Sequence, residues 1–448
     1  MKHAMTRRQV LKGVGALGGM AVLAACSAPA PSTATPTTVA PLSAADKAKT
    51  TGTFNFASYD EGESRQQATN TFFAKNYPNM TVKYDITPGL DPYFVKMQAQ
   101  IAGNAPPDYM LMHETRALSF AAQGLLTNLD AYQNAQPMPL PPEQYLGAVE
   151  RKYKGSFYVW PSGFGEYVLA YNKDVFDKAG VAYPDDNYTW QSMIDTAKQV
   201  SSKLPATFGF LGFDNLGTLN LWYPALKGYG GETFDETDTQ CLLNTPEAIQ
   251  TFDLIRDAYT SKTTPDPATV QTPNASRGIF FAGNGAMIYF LNGQFDLLQN
   301  NRQGNFKYGM LSLPSGPKGR FIRFGGSSYA VPKGSKFPQI GWELTQYLLN
   351  DEEAVKLYSG GLSSRADYFE KYSSPPPDAM AMLPNWHQAS IEQGVQYRTF
   401  VRYSKIGSQF SPMVYSEAGA LVDGSKTAAE VANSITDKAN QMLKDFKA

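Results

Sequence analysis

Thr53-Phe54-Asn55-Phe56 and Met80-Thr81-Val82-Lys83-Tyr84-Asp85-Ile86 carry apolar residues at every second position, and the run between them, near residues 65–76, carries them at helical spacing. Period two, then a period near four, then period two again predicts a βαβ unit. Asp91-Pro92 supplies an N-cap and a first-turn proline for a second crossover helix that Gly103 stops. Residues 108–112 read as a short buried strand, followed by a helix ending at Gly124. In open α/β sheets ligands bind beyond the carboxyl ends of strands, so the loops at 58–62 and 113–116 are expected to share one rim. A second α/β region follows, with strands at 167–171 and 208–212 and helices at 190–200 and 246–259, N-capped by Thr189 and Thr245. Further strands at 285–290, 308–313 and 326–331 precede helices at 339–350 and 427–444, so the chain is expected to return to both halves. Roughly 400 residues exceed what one core usually organises, and two lobes are predicted.

The first 25 residues read as an export signal: Lys2, Arg7, Arg8 and Lys12 precede a charge-free run, Val14 to Ala25, too short to span a bilayer. Thr6-Arg7-Arg8-Gln9-Val10-Leu11-Lys12 resembles a twin-arginine motif, and Leu23-Ala24-Ala25-Cys26 resembles a bacterial lipobox. In that reading Cys26 is the first mature residue and is acylated, anchoring the protein to the membrane at about 0.8 kcal/mol per buried CH₂. A disulfide between Cys26 and Cys241 is the alternative in an oxidising compartment. Residues 26–50, rich in Pro, Thr, Ala and Ser, are expected to form a flexible tether. Without residues 1–25, 35 basic side chains stand against 40 acidic ones and no basic stretch stands out, so nucleic acid is not an expected partner.

Signatures of catalysis are scarce. The mature chain has only His113 and His387, and it lacks HExxH, a CxxC pair and a GxSxG elbow. Its single GxGxxG, Gly13 to Gly18, lies inside the export signal. No catalytic residue, metal site or cofactor is expected. Glu61, Glu114 and Glu166 are the carboxylates that a glycosidase would draw on. Aromatic residues make up 13% of the chain, many of them in stretches read as loops, such as Trp160-Pro161-Ser162-Gly163-Phe164-Gly165-Glu166 and Asn220-Leu221-Trp222-Tyr223-Pro224. Pyranose faces stack on such rings while their hydroxyls need carboxylate, amide or guanidinium partners, so this mixture suits a sugar.

Gly155-Ser156-Phe157-Tyr158-Val159-Trp160-Pro161, then residues 169–180 (LAYNKDVFDKAG), then Thr189-Trp190, resemble the central signature of family 1 extracellular solute-binding proteins of ABC transporters, the maltose-binding-protein-like group. Residues 104–108, 283–287, 313–317 and Gly325-Gly326 resemble further segments of that family in register. The resemblance implies a type II-like periplasmic-binding-protein fold: two α/β lobes, each discontinuous in sequence, joined by a hinge of several strands. The expected boundaries are 51–161 plus about 309–358 for the first lobe and about 162–308 plus 359–448 for the second.

Carried over position by position, the resemblance assigns ligand contacts to Tyr59, Glu61, His113 and Glu114 on one lobe. It assigns Phe164, Glu166, Trp222 and Tyr223 to the other, with Gly326 and Ser327 in the glycine-rich segment. Asn292 and Phe295 match a turn in which the family carries a stacking tryptophan, and Arg365 and Phe410 match late cleft positions. Arg365 reads equally as a structural ion-pair partner. The implied partners are a carbohydrate and ABC permease subunits, with the protein a monomer on the extracytoplasmic face of a bacterial membrane. Two alternatives stay open: a receptor of this fold for a polyamine, a phosphorylated polyol or a metal, and a secreted glycosidase.

Overall fold

The computed structural model describes residues 39–213, 219–266, 275–291, 295–359, 363–372 and 383–447. Cys26 and Asn292 lie outside them. In chain order the strands are β1 (Gly52–Ser58), β2 (Met80–Ile86), β3 (Tyr109–His113), β4 (Val159–Pro161), β5 (Gly165–Asn172), β6 (Phe208–Leu211), β7 (Gly285–Leu291), β8 (Tyr308–Leu311), β9 (Ser315–Gly316), β10 (Gly319–Arg320), β11 (Ile322–Gly325), β12 (Ser327–Ala330) and β13 (Arg398–Thr399). They form two main sheets, β2-β1-β3-β12-β4 and β13-β11-β5-β7-β6 with β8 beside β5, and β9 and β10 form a small hairpin.

Each sheet is buried on both faces, and strand alternation sorts the side chains. In β3, Tyr109 and Leu111 enter one core with Phe54, Trp160 and Trp342, while Met110 and Met112 enter another with Tyr93 and Phe120. In β5, Leu169 and Tyr171 join a core with Trp190 and Trp222, and Val168 and Ala170 join one with Phe290 and Phe324. Local signals set the helix ends. The Thr189 hydroxyl caps Trp190–Lys203 in a capping box with Ser192, and Thr427 caps Ala428–Asp445 with Glu430.

The chain crosses between the sheets at residues 162–164, at Gly326, and again before the helix Ala366–Tyr372, whose Phe369 enters the second-lobe core. The crossings run side by side: Ser363 bridges Gly163, and the Ser364 hydroxyl donates to the Pro161 carbonyl at 2.8 Å. A Cβ on Gly326 would stand 2.3 Å from the Gly163 carbonyl oxygen, so the approach of two crossings requires glycine there.

Three expectations change. Residues 309–325 were expected in the first lobe, but β8 and β11 pair with β5, and the first sheet regains the chain only at Ser327. Residues 39–50, expected within the tether, belong to the fold: Ser43 caps a helix at Ala44–Lys49, Lys47 pairs with Glu343 at 2.7 Å, and Val39 and Leu42 pack on the first core. The second crossover helix starts at Leu90 with Gly89 as its cap, placing Asp91 in the first turn.

Candidate functional site

β1 and β3 are parallel neighbours, so their carboxyl ends deliver Tyr59 and His113 to one rim, with ring centroids 6.1 Å apart. Ser327 opens the antiparallel β12 opposite His113, and its hydroxyl is hydrogen-bonded to the Tyr59 phenol. His113 also caps the helix Glu114–Ala122 through Nδ1, which brings the Glu114 carboxylate to the same place.

Glu114 is buried, and its partners are two guanidiniums absent from the expected contacts. Arg151 Nη2 donates to Glu114 Oε2 at 3.1 Å and to the Gly326 carbonyl at 3.2 Å, and Nη1 donates to the Ser327 carbonyl at 3.1 Å and to the Ser328 hydroxyl. Arg323 comes from β11 in the other lobe and pairs with Glu114 Oε1. The Arg151 guanidinium lies 4.8 Å from the Phe164 ring centroid, and that of Arg323 lies 5.8 Å from the Tyr167 ring. Burial lowers Arg151 to about 10, which leaves it charged at neutral pH. Burial, helped by the charges of Arg323, Arg151 and Arg116, lowers the His113 imidazole to about 3 and keeps it neutral. Burial raises the Tyr403 phenol to about 12 against the pull of the same two arginines.

The lobes also meet further out. Arg116 Nη1 donates to the Gly407 carbonyl at 3.1 Å, and the hydroxyls of Ser119 and Ser408 are 2.7 Å apart. A cavity of about 710 Å³ beside this seam is lined by Phe94, Arg116, Phe120, Gln409, Pro412 and Phe446.

Tyr59, His113, Glu114, Phe164, Gly326 and Ser327 therefore converge at the junction. The other expected contacts do not join them. Glu61 is exposed, its carbonyl accepting from the Gln66 side chain. Glu166 is fully buried opposite Phe324 in the sheet register, on the face that carries Val168, and the adjacent Tyr167 takes the place beside Arg323. Trp222 and Tyr223 lie in a helix, Leu219–Tyr229, and not in a loop. Trp222 has no exposed surface and packs 5.5 Å from the Phe252 ring, while the Tyr223 hydroxyl donates to Glu232 at 2.9 Å. Phe295 stacks on Tyr308 inside the second-lobe core, and Phe410 packs on Phe234 at 4.9 Å. Arg365 is the structural ion-pair partner, bound to Asp367 at 2.5 Å with its guanidinium 3.7 Å from the Tyr368 ring. Arg323 had left a signal in Phe321-Ile322-Arg323-Phe324, one cation within an apolar strand; Arg151 had left none.

Among the described residues no group of three or more His, Cys, Asp or Glu could hold a metal, and no helix is long and apolar enough to cross a membrane. Cys241 is a buried free thiol, raised to about 11 by burial.

Two doubly covered α/β lobes, linked by neighbouring crossings and with polar and aromatic groups gathered where they meet, define a two-lobed binding protein. A family model for bacterial extracellular solute-binding protein matches residues 57–355, and the chain belongs to that family. A binding protein of Brucella abortus is 25% identical over 296 residues, covering 65% of this chain and 69% of its own. The sn-glycerol-3-phosphate-binding periplasmic protein of Pectobacterium atrosepticum is 22% identical over 370 residues, covering 77% of this chain and 80% of its own. Among solved structures, an ABC substrate-binding protein from Listeria monocytogenes in complex with cycloalternan superposes with a TM-score of 0.73 at 24% identity. That match covers 89% of this chain and all of the other.

Proposed function

We propose that this protein is the extracytoplasmic receptor of an ABC importer, lipid-anchored through Cys26, and that it captures a sugar or oligosaccharide between its lobes without altering it. The observation that carries the reading is the convergence of the Tyr59, His113 and Phe164 rings with Arg151, Glu114 and Ser327 where the lobes meet. Rings supply planes for sugar C–H faces, and the fixed polar groups take the place of water around hydroxyls. The cycloalternan complex of the Listeria neighbour supports the same class of ligand. A phosphorylated polyol is the second reading, drawn from the name of the Pectobacterium relative. In either case ligand binding selects the closed lobes, the form a permease would read.

A melting-temperature screen against mono-, di- and oligosaccharides tests this. A true ligand at a hundred times its Kd stabilises the fold by about 2.7 kcal/mol and is recovered unchanged. Silence across the panel, or turnover of the sugar, would refute the reading. Membrane fractionation of a Cys26→Ser variant tests the anchor: the variant should leave the membrane fraction.

A further inference from the structure

We infer that the sugar this receptor takes carries an anionic group, a carboxylate or a phosphate, seated against Arg323 and Arg151. The inference rests on the sugar-receptor reading and adds the charge of the ligand.

The balance of buried charge where the lobes meet points to such a ligand. Arg151 and Arg323 are both buried. Among the described residues Glu114 is the carboxylate paired with either of them, and it is shared by both. One positive charge is left over. A buried charge without a counter-charge costs several kcal/mol, so such a site favours a ligand that supplies one.

The remaining neighbours offset the excess only in part: the Glu150 carboxylate acts on Arg151 from the exposed surface, and the Tyr403 phenol hydrogen-bonds Arg323. His113 is neutral, and Tyr59, Tyr167 and Tyr403 contribute phenols and not carboxylates. Glu166 sits on the other face of its strand, with Phe324. Nor are the two guanidiniums equally engaged. Arg151 directs both of its Nη atoms at Glu114, the carbonyls of Gly326 and Ser327 and the Ser328 hydroxyl. Arg323 reaches Glu114 through one Nη and hydrogen-bonds the Tyr403 side chain, and its Nε is buried with no hydrogen-bond partner among the described residues. Arg323 is thus the group with donors to give, and a planar guanidinium matches carboxylate and phosphate oxygens in pairs. A neutral sugar would bury the excess charge without answering it.

The test uses matched pairs on the full mature chain by titration calorimetry: galactose with galacturonate, glucose with glucuronate, their short oligomers, glucose 6-phosphate and sn-glycerol 3-phosphate. The acidic member of at least one pair should bind ten times or more tightly than its neutral partner, and the uronate and phosphate arms identify the anion. Arg323→Met should lower the acid-to-neutral affinity ratio at least fivefold, and Arg323→Lys should restore part of it. Equal affinity within the pairs overturns the anionic seat and leaves the sugar reading standing, as does a ratio that Arg323→Met leaves unchanged. Binding of sn-glycerol 3-phosphate with no sugar bound overturns the sugar reading and this inference with it, as does no binding at all.

Discussion

Glu114, in the first turn of the helix that follows β3, is ion-paired with Arg323 of β11, so one carboxylate of the first lobe holds a guanidinium of the second. Because Arg151 grips the same carboxylate at 3.1 Å, the three side chains are not equivalent. Glu114→Ala leaves two buried guanidiniums without a counter-charge and should cost about 3–5 kcal/mol of unfolding free energy. Arg323→Met leaves Glu114 paired with Arg151 and should cost no more than about 1 kcal/mol, because an apolar side chain replaces the charge. Urea denaturation of both variants measures the difference, and equal losses would refute the shared-carboxylate account.

Gly326 lies where two inter-lobe crossings come closest, and a methyl group there would stand 2.3 Å from the Gly163 carbonyl oxygen. Gly326→Ala should cost about 1–3 kcal/mol as the crossings separate. Gly419, inside the helix Gly407–Val422, has nothing within 4 Å of its would-be Cβ. Gly419→Ala should raise stability by about 0.4–1 kcal/mol, chiefly by restricting the unfolded chain. Denaturation midpoints moving in the same direction for both would contradict this.

What could be read beforehand was periodic or local. The strand at Met80–Ile86 and the caps at Thr189 and Thr245 were legible because alternation and capping depend on a few adjacent residues. The rim formed by Tyr59 and His113 was legible because parallel strands place their carboxyl ends together. The face of a strand was harder: Glu166 and Tyr167 are neighbours in sequence, and only the pairing of Phe324 with Glu166 decides which of them meets Arg323. Arg151 and Arg323 are 172 positions apart, joined through a carboxylate from a third segment, and no spacing along the chain encodes that.

Trp222 shows the cost of taking an aromatic pair for a loop. Pro224 suggested a turn, yet the segment is helical and turns the indole onto Phe252. With no exposed surface, Trp222→Ala should cost about 3–5 kcal/mol of stability in the absence of any ligand. A loss below about 1 kcal/mol in thermal or urea unfolding would return Trp222 to the ligand site.

His113 makes the stability of the fold depend on acidity. Its imidazole is lowered from 6.5 to about 3, first by burial and then by the charges of Arg323, Arg151 and Arg116. Above pH 6.5 the residue is neutral in both folded and unfolded chains and contributes no pH dependence. As the pH falls below 6.5 the unfolded chain binds a proton that the folded site refuses, and stability drops by up to about 1.4 kcal/mol per pH unit until the folded site titrates near 3. Carboxylates titrate through the lower part of that window too, so the measurement is a difference between two proteins. Unfolding free energies of the native chain and of His113→Gln, taken at pH 7, 6 and 5, should diverge, with the native chain losing more. Parallel curves would mean that the imidazole takes up its proton without leaving the site.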